Sequence, residues 1–134
     1  MNEQIETQLP ATRLAAAEAR GFLRATLQTW QLDGWGDLTE LLASELVSNV
    51  VAHVGTPMTL RIGTDKGVIR VEVSDRGDTD PEMLRVDTET EHGRGLFIVN
   101  ELATRWGSDR DADGKTVWFE LDVATATEEV HGRD

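Results

Sequence analysis

The sequence contains no cysteine, which excludes a disulfide framework and Cys-based zinc sites and suits a reducing compartment. It has no apolar run near the roughly 18 residues that a membrane-spanning helix needs. Its opening stretch, MNEQIETQLP, has neither the basic nor the apolar region of a secretion signal. Internal repeats and low-complexity blocks are absent too. These absences predict a soluble, cytoplasmic protein with no membrane partner. Positive charge is also scarce: 13 Lys and Arg stand against 25 Asp and Glu, for a net charge of −12. Such a chain is a poor partner for nucleic acid, where affinity comes from neutralising phosphates. A nucleotide is a different case, because local donors and a Mg²⁺ ion can hold a triphosphate inside an acidic protein.

What is present is enough for one domain. At 134 residues, 39% of them hydrophobic and four of them Trp, the chain can bury a real core. Residues 1–11 form an N-terminal segment, either a short strand or a ragged end. Apolar side chains at helical spacing predict a helix from Thr12 to Trp30 and another from about Asp37 to Val54, with Asp37 as N-cap and Gly55 and Pro57 as stops. The period then changes to two. MTLRIGT (58–64) and VIRVEVSD (68–75), joined by Asp65-Lys66-Gly67, predict an antiparallel hairpin. A polar stretch at 76–93 is too long for a tight turn, and loops of that length are often functional. RGLFIVNELATRW (94–106) returns to helix, and a final hairpin turns at Asp111–Gly114 into the strand KTVWFELDV (115–123). Residues 124–134 read as a frayed tail. The order predicts an α+β two-layer sandwich, with helices on one face of a mixed, mostly antiparallel sheet.

Three stretches carry candidate chemistry. In SELVSNVVAH (44–53), Glu45, Asn49 and His53 recur every fourth residue and fall within an arc of about 80° on an otherwise apolar helix. The stripe is either a solvent face, a set of satisfied buried polar groups, or one wall of a cleft. In a cleft, Glu45 could take a proton and Asn49 could offer an amide oxygen to Mg²⁺, a hard ion that prefers oxygen. In VSDRGD (73–78), a strand ends in Asp75 with Gly77 two residues on; this is either a plain turn or a carboxylate beside closely approaching backbone. In HGRGLFIVN (92–100), Gly93 and Gly95 lead into an amphipathic helix, where free backbone N–H groups and the dipole make an anion site. Arg94 or His92 could add charge there. By contrast, GKT (114–116) is not a Walker A loop, because Asp109 stands where the first glycine should be and a strand follows.

Taken in order, E-x-x-x-N-x-x-x-H on a helix, D-x-G after a strand, G-x-G-L at a helix start and G-x-T entering a strand resemble the ATP-binding domain of the GHKL, or histidine-kinase-like, ATPase superfamily. Within it the chain is similar to the compact bacterial anti-sigma factor serine kinases, over residues 12–123. The resemblance implies ATP and Mg²⁺ as cofactors, with Asn49 on the metal and Glu45 as general base. It implies that Asp75 accepts from the adenine amino group, that Gly77 lines the base pocket, and that His53 lies in the nucleotide stripe. Gly93, Arg94, Gly95 and the N–H groups around Leu96 would cradle phosphates beneath a lid at 78–92. Thr116 falls where the family places a hydroxyl near the adenine. Two positions depart from the pattern: Thr79 replaces a glycine of the first glycine box, and Ala52 stands where relatives often carry a charge.

A sensor histidine kinase would need an upstream helical pair bearing the acceptor histidine, and a gyrase-type ATPase would need further domains. The resemblance therefore implies a protein serine/threonine kinase that phosphorylates a small anti-anti-sigma-like antagonist and so controls a sigma factor. The alternative is an anti-sigma-like interaction module that binds nucleotide weakly or not at all. Relatives often pair, which leaves a homodimer open.

Overall fold

The computed structural model describes residues 3–77 and 91–123, and over 91–96 it describes the backbone. Most of the expected lid (78–90, with Thr79) and the tail (124–134) lie outside the described residues. The described elements are strand β1 (Glu3–Leu9), helix α1 (Ala15–Thr29), a 3₁₀ turn (Asp33–Trp35), helix α2 (Gly36–His53), strands β2 (Met58–Asp65) and β3 (Val68–Asp75), helix α3 (Glu91–Leu102), and strands β4 (Arg105–Asp111) and β5 (Gly114–Asp122). Among the described residues no helix is long and apolar enough to cross a membrane.

The strands form one sheet in the order β1-β2-β3-β5-β4, and every neighbouring pair is antiparallel. The expected α+β architecture is present, though the described sheet is wholly antiparallel rather than mixed. The β2–β3 hairpin closes through Lys66 (φ 52°) and Gly67 (φ 79°), both in the left-handed region that a two-residue turn of this twist requires. At the β4–β5 turn the Asp111 carboxylate accepts the N–H groups of Asp113 (2.8 Å) and Gly114 (3.0 Å), which fixes the reversal.

Alternation along the strands sorts the sheet into two faces. Leu60, Ile62, Val71, Val73, Phe119 and Leu121 point to the helix side and are buried. Helix α1 meets them with Ala15, Ala19, Leu23 and Leu27 at spacings of four, a stripe that lies on one helical face. Helix α2 contributes Leu42, Leu46, Val47 and Val50. The two helices are also tied by a two-pronged pair, in which Arg24 donates to both oxygens of the buried Glu40 at 3.2 and 2.7 Å.

The other face of the sheet is polar. Glu6, Arg61, Glu72, Arg70, Glu120, Arg105 and Asp122 form a continuous lattice of ion pairs across all five strands. The Arg70 guanidinium also lies 4.2 Å from the centre of the Trp118 ring, a favourable cation–π distance. Burial works to raise the Glu72 carboxyl, but the hydrogen bonds and charges of Arg70 and Arg61 outweigh it and hold the group below its ordinary value. Burial opposes Arg105 and Arg70 at Glu120 in the same way, and that carboxyl is also lowered. A carboxylate lowered on folding contributes stability above its unfolded value, and the contribution is lost as pH falls through the folded one. Below about pH 4.3, the ordinary Glu value, the native chain should therefore lose stability more steeply than a Glu72→Gln/Glu120→Gln variant. Urea midpoints measured across the acid range test this, and parallel curves would show that the lattice is thermodynamically idle.

Candidate nucleotide site

The polar stripe of α2 sits where the packing of that helix leaves room for it. Leu46, Val47 and Val50 hold the helix on the sheet, while Glu45 is half-buried and Asn49 only 4% exposed. His53 is half-buried and ends the helix. Among the described residues the Asn49 Nδ2 donor has no hydrogen-bond partner. A buried amide left in this state costs about 1–3 kcal/mol, so it calls for an acceptor beyond the described residues.

Asp75 is the last residue of β3, and its register partner on β5 is Lys115. The inward parity that buries Val73 and Val117 also carries these two charged side chains to the helix side. Asp75 Oδ1 accepts the Gly77 N–H at 2.9 Å, and Oδ2 lies 3.1 Å from Lys115 Nζ. The two side chains are 0% and 1% exposed, and the pair lacks hydrogen-bond geometry. Backbone comes close around Asp75 at two points, and both need glycine. A Cβ on Gly77 would stand 2.2 Å from Val54 Cγ1, and one on Gly114 would stand 1.9 Å from the Asp75 carbonyl oxygen.

Asn49 and Lys115 face one small cavity, about 10 Å³, walled by Leu46, Val50, Val54 and Val73. That is close to the room one water needs and far less than a purine. A larger hollow of about 490 Å³ lies at the same end of the sheet around Thr59, Ser74, Arg76 and Asp111. Thr116 lines that hollow. Its Oγ1 is 2.7 Å from Ser74 Oγ on the polar face, so the structure does not bring Thr116 to the side of the sheet that holds Asp75.

The structure thus groups Asn49, Asp75 and Gly77, with Glu45 one helical turn from Asn49. It adds Lys115, which motif reading passed over after rejecting the Walker A loop. Helix α3 begins at Glu91, so Gly93 and Gly95 lie inside it rather than ahead of it. The N–H groups of Gly95 and Leu96 lie four and five residues past Glu91 and belong to the helical ladder. The side chains of Arg94 and Leu96 lie outside the described residues. Helix α3 packs against α2.

Among the described residues no group of three or more His, Asp or Glu side chains could hold a metal ion. A Mg²⁺ ion here would take most of its oxygens from a nucleotide and water, with Asn49 as one protein ligand. The Asn49 amide, unpartnered among the described residues, and the Asp75 carboxylate fit a polar ligand in donor and acceptor character, whereas the cavity that Asn49 and Lys115 line does not fit a base without rearrangement.

In a comparison of sequences, no curated protein matched the chain. Among solved structures it is similar to the histidine kinase domain from the Erythrobacter litoralis EL346 blue-light activated histidine kinase, with a TM-score of 0.57 at 19% identity. That match covers 88% of this chain and 66% of the other, and at this identity it speaks for the fold alone. The family model described as Histidine kinase-like ATPase domain matches residues 9–121. With the α2 stripe, the Asp75 edge and the helix-on-sheet order in place, the chain belongs to the histidine kinase-like ATPase domain family.

Proposed function

We propose that the chain binds Mg-ATP and acts as a protein serine/threonine kinase on a small antagonist protein, within an anti-sigma-like partner-switching circuit in the cytoplasm. The observation that carries this reading is Asn49: a buried amide whose Nδ2 donor has no partner among the described residues, one turn from Glu45 and facing a small cavity that Lys115, the ion-pair partner of Asp75, also lines. ATP would supply the phosphoryl group. The chain's own part is to position and to move a proton: Asn49 would hold Mg²⁺ through its amide oxygen, Asp75 would meet the base, and Glu45 would accept the proton from a Ser or Thr hydroxyl of the antagonist as ADP departs.

Calorimetric titration with Mg-ATP, followed by phosphotransfer to a cognate antagonist, tests this directly. Glu45→Ala should leave ATP affinity within about twofold while lowering transfer by about 10²–10⁴, the usual share of a general base. Asn49→Ala should abolish the Mg²⁺-dependent part of binding. Undiminished transfer by Glu45→Ala would remove Glu45 from the chemistry.

A second reading, an anti-sigma-like interaction module that captures its sigma factor without transferring phosphate, is favoured by one observation. Both oxygens of Asp75 are already engaged within the chain. Mg-ATP binding with no transfer to any antagonist would select this reading.

A further inference from the structure

We propose that Lys115 is an internal competitor for the base-binding carboxylate, so that a purine reaches Asp75 only when the Lys115 ammonium withdraws. The inference rests on the reading of Asp75 as the acceptor for the base. Gly77 N–H occupies Oδ1 of that residue at 2.9 Å, and Lys115 Nζ faces Oδ2 at 3.1 Å. Oδ2 accepts no hydrogen bond, so it is the oxygen open to a ligand's amino group, and the ammonium stands in front of it. Lys115 also lines the cavity that Asn49 faces, and that cavity holds only about 10 Å³, far less than a planar base needs. One side chain therefore does two things: it neutralises the acceptor and takes up the space.

The pair is built to part. An ammonium has three donors, and this one makes no hydrogen bond of proper geometry to Asp75 or to any other described group. A buried ion pair repays the desolvation of its charges only when geometry is good and the spare donors are satisfied. Neither holds here, so charge alone keeps Lys115 in place. Its four-carbon stem is flexible, and a strongly hydrated head gains from reaching water. A purine that offers an N–H to Asp75 would exchange an unsatisfied pair for a bonded carboxylate and a solvated lysine. Lys115 thus sets the threshold for nucleotide entry, lowering the affinity of the resting site without removing any group that binds.

Two measurements test this. The first is calorimetry with Mg-ATP on the native chain, Lys115→Thr and Lys115→Met. Each substitution removes the competing charge, and affinity should rise by about tenfold or more, equivalent to 1.4 kcal/mol. The second uses the native chain and does not depend on a variant folding. Lys66 and Lys115 are the only lysines in the sequence, so acylation by an amine-reactive ester can be read at each by mass spectrometry. Lys66, exposed in the β2–β3 turn, should label at the same rate throughout. Lys115 should be protected in the free chain and become labelled when Mg-ATP is added. If the native chain binds Mg-ATP while Lys115 stays protected and the variants bind no tighter, the competitor role is overturned and the ATP reading stands. If the native chain and both variants bind no Mg-ATP, the ATP reading itself falls, and this inference with it.

Discussion

Asp75→Ala should destabilise the chain by about 3–5 kcal/mol, the usual result of stripping one partner from a buried ion pair. The reason lies in what remains: a lysine ammonium 1% exposed, beneath valines and a leucine, with no other carboxylate among its described neighbours. Removing both charges is a different matter. An Asp75→Asn/Lys115→Met variant keeps the volume, discards two desolvated ions, and should fall within about 1 kcal/mol of the native chain or exceed it. Urea denaturation of the three proteins gives the comparison. Should Asp75→Ala cost less than about 1 kcal/mol, the unpaired ammonium must withdraw to water in the variant, the same movement that the competitor role of Lys115 requires. The contrast between single and double variants carries the weight, because it separates the charge from the packing.

Gly114→Ala should cost about 4 kcal/mol, near the upper end for a single methyl group. Its φ is 154°, outside the range that side-chain-bearing residues readily adopt, and the added Cβ would lie 1.9 Å from the Asp75 carbonyl oxygen and 2.7 Å from Arg76 Cα. These neighbours are backbone, so no rotamer change can relieve the overlap. The start of β5 would have to part from the end of β3, taking Lys115 away from Asp75. Gly34→Ala is the control, since a Cβ there meets nothing within 4 Å, and it should stay within about 0.5 kcal/mol. Similar urea midpoints for the two variants would mean that the β3–β5 end is loose enough to absorb a methyl group.

Much of this architecture was legible as periodicity. The α2 stripe, the β2–β3 hairpin and the strand character of β5 all follow from spacing, because each buries one face and the sequence shows which. The boundaries that failed depend on remote partners. Arg105 and Trp106 continue the helical pattern locally, yet they open β4, where Trp106 pairs with Phe119. No local feature announces that pairing. Likewise the sequence of β1 is compatible with a strand or a ragged end, and only its register against β2 settles the matter. The start of α3 was set by its glycines, which turned out to lie within the helix.

Lys115 and Thr116 are the more instructive miss. Val117, Phe119 and Leu121 alternate with Thr116, Trp118 and Glu120, and burial of the first set fixes the parity of everything before it. That parity places Lys115 inward beside Asp75 and Thr116 outward beside Ser74, and it was available from the sequence. Motif matching overrode it. The resemblance assigned a hydroxyl by position in a box, whereas the pleat assigns side chains by odd and even.

The insertion of β5 between β3 and β4 has a consequence for the order in which the molecule assembles. Ser74 and Thr116, which meet at the junction, are 42 positions apart in the chain. The β2–β3 hairpin and the α1–α2 pair can form from neighbours, but this junction must close a long loop before it gains anything. By loop length, Asp75 is expected to meet Lys115 only after the β2–β3 hairpin and the α1–α2 pair have formed, and until then it is an ordinary exposed carboxylate. A folding chain halted before that step would already hold most of its core and have no nucleotide site at all.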